Sequence, residues 1–228
     1  MIRLGLTGGC CTGKSTVAQM FSRLGAEVVS ADGIVHRLLR EDQDVKSGVL
    51  SIFGEAVLAN DGAIDREKLA DIVFHDKESL TRLTDLLYPK VKRDIRRVFE
   101  EMQGKGTQEI CVAEVPLLIE EGALDLYDAV LVVKANYSNQ LRRFLQRGGK
   151  SQADLGRRIA NQMDLTEKVR RADYVIDNDG SLDQTFEQVK NIYQNIRLRP
   201  RQRRGASSTL AAGDVRSKAN KGKIKSER

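Results

Sequence analysis

Apolar residues follow two alternating patterns along the chain, short continuous runs and helical stripes. Five runs are rich in branched aliphatic residues and have the length of buried strands. They cover residues 2–6, 27–30, 110–115, 129–133 and 174–176. The stretches between them carry apolar residues three or four positions apart, as at Val17, Phe21 and Leu24, and Gly25 marks the end of that helix. This alternation predicts an α/β fold with a five-stranded parallel sheet covered by helices on both faces.

The stretch between the second and third runs is too long for a simple crossover between parallel strands. Residues 43–103 keep helical spacing almost throughout. Asp61 and Gly62 mark a turn inside this block, and Pro89 predicts an interruption near its middle. A helical block of this length indicates an inserted subdomain.

We therefore predict one large domain, residues 1–196, with an insertion and a lid. Its sheet-forming core comprises residues 1–40 and 105–196, and the inserted helical subdomain lies at about 43–103. A polar, arginine-rich helical stretch at about 137–168 lies between the fourth and fifth runs and forms the predicted lid.

The positive charge of the chain is concentrated in its last residues. The net charge is +6, but residues 197–228 contain 11 Lys or Arg and two acids, so this tail carries +9 and the remainder carries −3. The tail has too few large apolar residues to form a core, which predicts disorder. It has no aromatic residue for base stacking, so we expect only weak, salt-dependent binding of polyanions and no specific nucleic acid partner.

The remaining composition points to a cytoplasmic globular protein. No apolar run approaches the roughly 18 residues of a membrane span, and the N-terminus has no secretory signal pattern. The three cysteines, Cys10, Cys11 and Cys111, show neither metal-ligand spacing nor an even disulfide set. Three reduced thiols suit a reducing compartment. The sequence carries no signal for the oligomeric state.

The first run is followed by a glycine-rich loop with a recognisable chemistry. Residues 8–15 read Gly-Gly-Cys-Cys-Thr-Gly-Lys-Ser and match the pattern G-x-x-x-x-G-K-[ST] at every fixed position. A loop of this kind directs successive backbone N–H groups at an anion, and the helix that follows directs its positive dipole end at the same place. The position of the loop between a predicted strand and a predicted helix supports a phosphate-binding function.

Each side chain of the loop then has an expected role. Lys14 reaches the β- and γ-phosphates of ATP, the Ser15 hydroxyl ligates Mg²⁺, and Thr16 contacts the α-phosphate. The predicted nucleotide-binding residues of the loop are Gly9, Cys10, Cys11, Thr12, Gly13, Lys14, Ser15 and Thr16. We also predict Lys14 as a catalytic residue, because its charge stabilises the phosphoryl group during transfer.

A second feature distinguishes a kinase from other nucleotide-binding proteins. The chain has no Asn-Lys-x-Asp motif, which argues against a GTPase. Asp32 follows the second run, at the edge of a parallel sheet where ligands gather. We expect the second strand to adjoin the first, so that Asp32 faces the γ-phosphate and accepts or positions the proton of an acceptor hydroxyl. The alternative role of Asp32 is the N-cap of the following helix.

The predicted lid carries five arginines, Arg142, Arg143, Arg147, Arg157 and Arg158. A planar guanidinium suits the charge that spreads over the oxygens of a transferring phosphoryl group. Arg143 and Arg147 are four residues apart and share one helix face. We predict Arg143 as catalytic and Arg147 as nucleotide-binding, with Gly148 and Gly149 as a hinge. The alternative is a solvated basic helix.

These residues together resemble dephospho-coenzyme A kinases, over residues 2–196. The phosphate loop is shared by many families, whereas two other stretches are much more specific. They are Val-Pro-Leu-Leu at 115–118 and Ala-Asp-Tyr-Val-Ile-Asp-Asn at 172–178. Further matches are Ala31-Asp32, Phe53-Gly54, Asp61-Gly62, Asp65-Arg66, Val73-Phe74, Pro89, Glu120, Gln140-Leu141, Arg143, Arg147, Ile159, Gln162 and Gly180.

The resemblance implies more than the spacing does. It implies that ATP phosphorylates the ribose 3′-hydroxyl of dephospho-coenzyme A to give coenzyme A, the last step of coenzyme A biosynthesis. It also implies a five-stranded parallel core, a helical acceptor domain and a lid. Asp32 matches the proposed catalytic base of the family, and Asn178 belongs to a loop near the adenine of ATP.

The chain departs from the family pattern at four positions. Cys11 replaces the middle glycine of the loop, Ser30 an aspartate after the second strand, Tyr88 a histidine before Pro89, and Gly148 an aspartate. The residue chemistry alone leaves another small-molecule kinase, of the shikimate or nucleoside type, as the alternative function.

The two adjacent loop cysteines suggest sensitivity to thiol reagents. Cys10 and Cys11 lie among the N–H groups that hold phosphates, close to the Lys14 ammonium and a helix N-terminus. Such surroundings lower the pKa of a thiol and raise its reactivity. The alternative is that both side chains pack as small apolar groups.

Overall fold

The computed structural model describes residues 1–106 and 109–198 and contains one parallel sheet. The strands are β1 (Ile2–Gly8), β2 (Glu27–Ser30), β3 (Ile110–Glu114), β4 (Ala129–Lys134) and β5 (Tyr174–Asp177). Their order across the sheet is β2-β3-β1-β4-β5, and every neighbouring pair is parallel. The predicted α/β class, the number of strands and their parallel arrangement are confirmed.

The expected neighbour of β2 was wrong. β2 pairs with β3, and β3 pairs with β1, so one strand separates the first two. All five residues of β3 are buried, whereas all four of β2 are only half-buried. A short half-buried strand is tolerated at the edge of a sheet, while a continuously apolar strand takes a central position that buries both of its faces.

Nine α-helices connect and cover the strands within the described residues. They are α1 (Lys14–Arg23), α2 (Ala31–Glu41), α3 (Gln43–Phe53), α4 (Arg66–Val73), α5 (Lys77–Lys105), α6 (Tyr137–Gln146), α7 (Gln152–Ala160), α8 (Leu165–Arg170) and α9 (Leu182–Leu198). On one face of the sheet, α1 and α9 build a core around Phe21 and Ile192. On the other face, α2 to α5 build a core that includes Leu38 and Ile95.

Three helices of the inserted block begin after an aspartate. The carboxylate of Asp42 accepts a hydrogen bond from the N–H of Val45, and Asp65 and Asp76 accept corresponding bonds at the starts of α4 and α5. An aspartate at this position satisfies backbone donors that have no partner inside the helix. The predicted turn is also present, with Gly62 at φ 75.

The interruption predicted at Pro89 was wrong. Helix α5 runs through Pro89 without a break. Proline removes one backbone hydrogen bond, but Leu87 and Val91 on either side are buried in the core. Their burial holds both turns of the helix in place, and the proline itself lies on the exposed side.

The described chain ends shortly after the predicted domain does. Helix α9 extends to Leu198, two residues beyond the predicted end, and Arg197 forms an ion pair with Glu109. The predicted disorder of the tail concerns residues that, apart from 197 and 198, lie outside the described part. No helix in the described part is long and apolar enough to cross a membrane. The division into core, inserted subdomain and lid stays a prediction.

Candidate active site

The glycine-rich loop connects β1 to α1 at the carboxyl edge of the sheet. Gly8 has φ 155 and Gly13 has φ 97. A Cβ on Gly8 would come within 2.2 Å of the carbonyl oxygen of Val133, and one on Gly13 within 2.1 Å of Asn178 Nδ2. Both glycines are therefore required by close packing of the loop against β4 and against the segment that follows β5.

Cys11 has an unusual backbone conformation. Its φ of 55 lies in the left-handed region, which is uncommon for a residue with a side chain, and it is the one such non-glycine residue in the described part. The usual glycine of related loops is suited to this conformation. Cys11 nevertheless adopts it, and its side chain lines a neighbouring cavity.

Lys14 folds back over the loop. Its Nζ donates a hydrogen bond to the Gly9 carbonyl at 2.9 Å. Burial lowers the pKa of its ammonium, while the nearby carboxylates of Glu114 and Asp32 oppose that effect. A desolvated ammonium gains strongly from a phosphate partner, because the charge would then be paired in a low-dielectric site.

Ser15 has a partner that sequence analysis missed. Its hydroxyl donates to Oε1 of Glu114 at 2.6 Å. Glu114 is 7% exposed and ends β3, where it lies beside Leu6 of β1 and Ser30 of β2. The available signal was an acid near the carboxyl end of the third apolar run, at residues 110–115. Its value depended on β3 being next to β1, whereas the only neighbour expected for β1 was β2.

Two predicted site residues, Asn178 and Arg143, hold the second part of the loop, residues 12–13, through hydrogen bonds to its backbone. Asn178 donates its side-chain amide to the Thr12 carbonyl at 2.8 Å, and Thr185 Oγ1 donates to Asn178 Oδ1 at 2.9 Å. Arg143 donates to the Thr12 carbonyl at 3.1 Å and to the Asn178 carbonyl at 2.6 Å. Asn178 and Arg143 thus brace the loop in this structure, while their predicted contacts with nucleotide remain predictions.

A cavity of about 170 Å³ lies on this side of the loop, which we call the nucleotide side. It brings together five residues predicted to act on nucleotide, Gly13, Thr16, Arg143, Arg147 and Asn178. Leu182 completes the wall of this cavity and is 64% exposed to solvent. A planar base bound here would cover this apolar side chain and remove it from water.

A larger cavity of about 340 Å³ shares no lining residue with the first. We call its side the acceptor side, because Asp32, predicted to act on the acceptor hydroxyl, lines it. Cys10, Cys11 and Lys14 line it from the loop, and Asp32 lines it from α2. The structure thus brings Asp32 and Lys14 to one cavity despite the intervening strand. The remaining wall is mainly apolar, with Val35, Phe74, Leu80, Leu83, Leu87, Tyr88, Val91 and Val115 among its residues.

The alternative role of Asp32 as a helix cap was wrong. Ser30 is the N-cap of α2, and its hydroxyl accepts a hydrogen bond from the N–H of Gly33 at 3.3 Å. Serine is as good a cap as the aspartate that the family resemblance would place at this position. Asp32 lies in the first turn of the helix and is exposed toward the cavity.

The lid arginines take different positions. Arg158 lines the acceptor-side cavity and stacks on the Phe74 ring, 4.2 Å from its centroid. Arg157 lies 3.6 Å from the carboxylate of Asp154. Arg142 is exposed and donates to Asn139 at 2.8 Å, as the solvated alternative predicts. Arg147 is also exposed, but it lines the smaller cavity.

A buried lysine fixes one wall of the acceptor-side cavity, and sequence analysis missed it. Lys168 is fully buried, and its Nζ donates to the Pro116 carbonyl at 3.0 Å and lies 2.7 Å from Oε1 of Glu120. Thr7 Oγ1 donates to the same carbonyl at 3.0 Å. Pro116 is therefore held between β1 and α8, at the edge of the cavity.

In nucleotide hydrolysis the phosphate acceptor is water, which needs little space beside the phosphate loop. This loop instead faces a cavity of about 340 Å³, which is large enough for an organic acceptor. The fold and the site define a P-loop kinase. A family model for dephospho-CoA kinase matches residues 2–184. The chain belongs to the dephospho-CoA kinase family.

Individual relatives agree with this assignment. The dephospho-CoA kinase of Aquifex aeolicus is 41% identical over 200 residues, covering 88% of this chain and 100% of that protein. One from Bacillus cereus is 38% identical over 192 residues, covering 84% and 96%. The predicted family and enzyme class are confirmed, and the alternative kinase types gain no support from these relatives.

Solved structures show the same fold. The crystal structure of TT1252 from Thermus thermophilus is 32% identical, with a TM-score of 0.69, and covers 85% of this chain and 96% of that one. Dephospho-CoA kinase from Campylobacter jejuni is 27% identical, with a TM-score of 0.55 and the same coverage.

Proposed function

We propose that this enzyme transfers the terminal phosphate of ATP to the ribose 3′-hydroxyl of dephospho-CoA. The observation that carries the proposal is the position of one phosphate loop between two cavities of different size and lining. The smaller cavity has two arginines, and the larger one has an apolar wall with Asp32 at the loop end. Donor and acceptor would therefore approach the loop from opposite sides.

ATP binds with its base on the nucleotide side and its phosphates in the loop. The base covers Leu182, and Arg147 lies close enough to the loop for its charge to act on Cys11. Lys14 exchanges its bond to the Gly9 carbonyl for the β- and γ-phosphates. Arg143 supplies a planar donor at the junction of Thr12 and Asn178.

Dephospho-CoA binds on the acceptor side with its adenosine end in the larger cavity. The base packs on the apolar wall formed by Leu83, Leu87 and Tyr88. Arg158 lines this cavity, and its Nε lies 3.6 Å from the Asp154 carboxylate without forming a hydrogen bond among the residues that the structure describes. The other N–H groups of its guanidinium can bind a phosphate of the acceptor.

The reaction then needs a base and charge stabilisation. Asp32 accepts the proton of the 3′-hydroxyl as the hydroxyl oxygen attacks the γ-phosphorus in line with the leaving ADP oxygen. Charge on the equatorial oxygens is stabilised by the Lys14 ammonium and by the N–H groups of the loop.

The residues at the start of α1 fit Mg²⁺. This ion prefers oxygen ligands and keeps several waters beside substrate phosphates. Ser15 Oγ and the Glu114 carboxylate are 2.6 Å apart, and both are oxygen donors. We propose that Ser15 ligates the ion and that Glu114 orients Ser15 or a bound water. When bound, Mg²⁺ neutralises phosphate charge.

The predicted lid closes over both substrates in this proposal. The predicted lid already contacts the region of α4: Lys150, just before α7, lies 2.7 Å from Asp71 of α4, and Arg158 of α7 stacks on Phe74, the residue after α4. Gly148, with φ 85, begins the connection between α6 and α7 and serves as the hinge.

We also propose a cytoplasmic location, since all three cysteines are free thiols. Weak polyanion binding by the basic tail remains a prediction.

The decisive experiment measures ADP release with dephospho-CoA as acceptor and identifies the product by mass. Coenzyme A, in which the 3′-position is already phosphorylated, is the matched control and should give no turnover. A 3′-deoxy analogue of dephospho-CoA should bind without reacting. Shikimate and nucleosides test the alternative acceptors. Turnover with either of these that exceeds turnover with dephospho-CoA would overturn the proposed acceptor.

A further inference from the structure

Two adjacent thiols face the acceptor-side cavity from within the phosphate loop. The Sγ atoms of Cys10 and Cys11 are 3.9 Å apart. Both residues are half-buried and line the cavity of about 340 Å³, so small molecules can reach them from solvent. Cys111, the third cysteine, is fully buried in β3.

The two thiols differ in acidity. The S–H of Cys10 donates to Cys11, which lowers the pKa of the Cys11 thiol to about 6 and raises that of Cys10. Burial opposes the shift at Cys11, and the positive charges of three side chains reinforce it. These are Arg147 at the end of α6, Lys14 of α1 and Arg158 of α7. The loop therefore holds a thiolate beside a protonated thiol.

We propose that Cys10 and Cys11 form a reversible dithiol–disulfide site that a hydroperoxide oxidises, and that closing this bond disables the phosphate loop. The Cys11 thiolate attacks one peroxide oxygen and becomes a sulfenic acid, and the other oxygen leaves as hydroxide and takes up a proton. The Cys10 thiol then attacks the Cys11 sulfur. The S–S bond forms as the hydroxyl of the Cys11 sulfenic acid leaves with the proton of Cys10 as water. A dithiol reductant reverses the oxidation.

The geometry explains why this bond would alter the loop. Neighbouring Cα atoms across a trans peptide are about 3.8 Å apart, whereas ordinary disulfides join Cα atoms about 4.4–6.8 Å apart. Drawing the sulfur atoms together from 3.9 Å to bonding distance must therefore move the backbone of Cys10 and Cys11. Their N–H groups belong to the loop that receives phosphates, so the anion site loses its shape.

This inference relies on the proposed binding of ATP by the loop, and bound nucleotide should protect the thiols. The test therefore reads bond formation and nucleotide affinity separately, and neither measurement uses the acceptor. A wrong acceptor assignment would leave both readouts intact.

The full-length enzyme is treated with hydrogen peroxide, with and without saturating MgATP. Remaining thiols are then alkylated, and the protein is digested with trypsin. Residues 4–14 form one tryptic peptide that carries both loop cysteines, while Cys111 lies in another. We expect the 4–14 peptide to lose two hydrogen atoms and escape alkylation. Nucleotide affinity should fall by about tenfold or more and recover with dithiothreitol, and MgATP should prevent the change.

Three variants make the test specific, each compared with its own untreated sample. Cys10→Ser and Cys11→Gly remove one partner each, and Cys11→Gly suits the left-handed backbone at that position. Neither variant should lose nucleotide affinity in a way that dithiothreitol reverses. Cys111→Ala should respond to hydrogen peroxide as the wild-type enzyme does. A wild-type peptide with both cysteines alkylated after treatment would overturn the proposal. So would a Cys11 sulfinic acid without a disulfide, or a disulfide that leaves nucleotide affinity unchanged.

Discussion

The two ends of the phosphate loop are held in different ways. On the nucleotide side, the Thr12 carbonyl accepts hydrogen bonds from Asn178 and Arg143, and Asn178 is in turn bonded to Thr185. On the acceptor side, Cys10 and Cys11 open into the larger cavity, and Cys11 has a left-handed backbone. The loop is therefore held on the nucleotide side by side chains from distant parts of the chain. On the acceptor side its residues are accessible to molecules in the larger cavity.

This difference has a physical reason. ATP must be placed so that its γ-phosphorus is fixed in space, and buried hydrogen bonds to the loop backbone provide that rigidity. In the proposed function the acceptor side admits dephospho-CoA, so its loop residues need open space. Substitutions on the two sides should therefore affect different kinetic constants.

Lys14 serves both sides and should show the largest effect. Lys14→Ala should lower kcat by about 10³-fold, the upper range for removing one donor to a developing charge. Because burial disfavours the ammonium, its removal should leave the melting temperature almost unchanged. Activity assays and thermal denaturation check this, with Lys46→Ala on α3 as the matched control. Near-normal turnover in Lys14→Ala would contradict the assignment of the loop.

Asp32 should affect the acceptor side alone. Asp32→Asn should lower kcat by about 10²-fold, because the acceptor hydroxyl loses its base. Nucleotide affinity, measured by calorimetry, should change little, since Asp32 lines the acceptor-side cavity and not the nucleotide-side cavity. Asp44→Asn, at an exposed position of α3, is the control. Loss of nucleotide affinity with preserved kcat would instead make Asp32 a metal or structural residue.

Asn178 should affect the nucleotide side alone. Asn178→Ala leaves the Thr12 carbonyl and the Thr185 hydroxyl without this partner, at a cost of about 1–3 kcal/mol in the free energy of unfolding. The KM for ATP should rise by about tenfold while the KM for the acceptor stays constant. Chemical denaturation and steady-state kinetics check both values, and Asn195→Ala on the exposed side of α9 is the control. An equal rise in both KM values would remove the distinction between the two sides.

The smallest effect concerns the reactivity of Cys11. Its pKa of about 6 means that the thiolate predominates at neutral pH, so labelling by iodoacetamide should be fast there and slow as the pH falls through 6. Arg147→Gln removes one of the cations near Cys11 and should move the midpoint upward. The measurement is the pH dependence of labelling, mapped by mass, with saturating MgATP as protection. Label confined to Cys111, or a midpoint near the roughly 8.5 of free cysteine, would contradict it.

Much of the fold and of the phosphate loop could be predicted because both depend on residues that are close together in the sequence. The loop pattern, the strand before it and the helix after it are contiguous, so their residues needed no knowledge of the rest of the chain. The number of strands and the parallel sheet followed from the alternation of apolar runs and helical stripes. Asp32 could be predicted from its place at a strand end, although the expected strand order was wrong.

The sequence by itself determined the phosphate loop, the α/β class and the residues at the ends of strands, since these depend on neighbours in the chain. Only the tertiary structure decided that β3 lies between β1 and β2 and thereby places Glu114 against Ser15. It also decided that Asn178 and Arg143 brace Thr12, and that α5 continues through Pro89. These features depend on burial and on contacts between residues far apart in sequence, which local spacing does not encode.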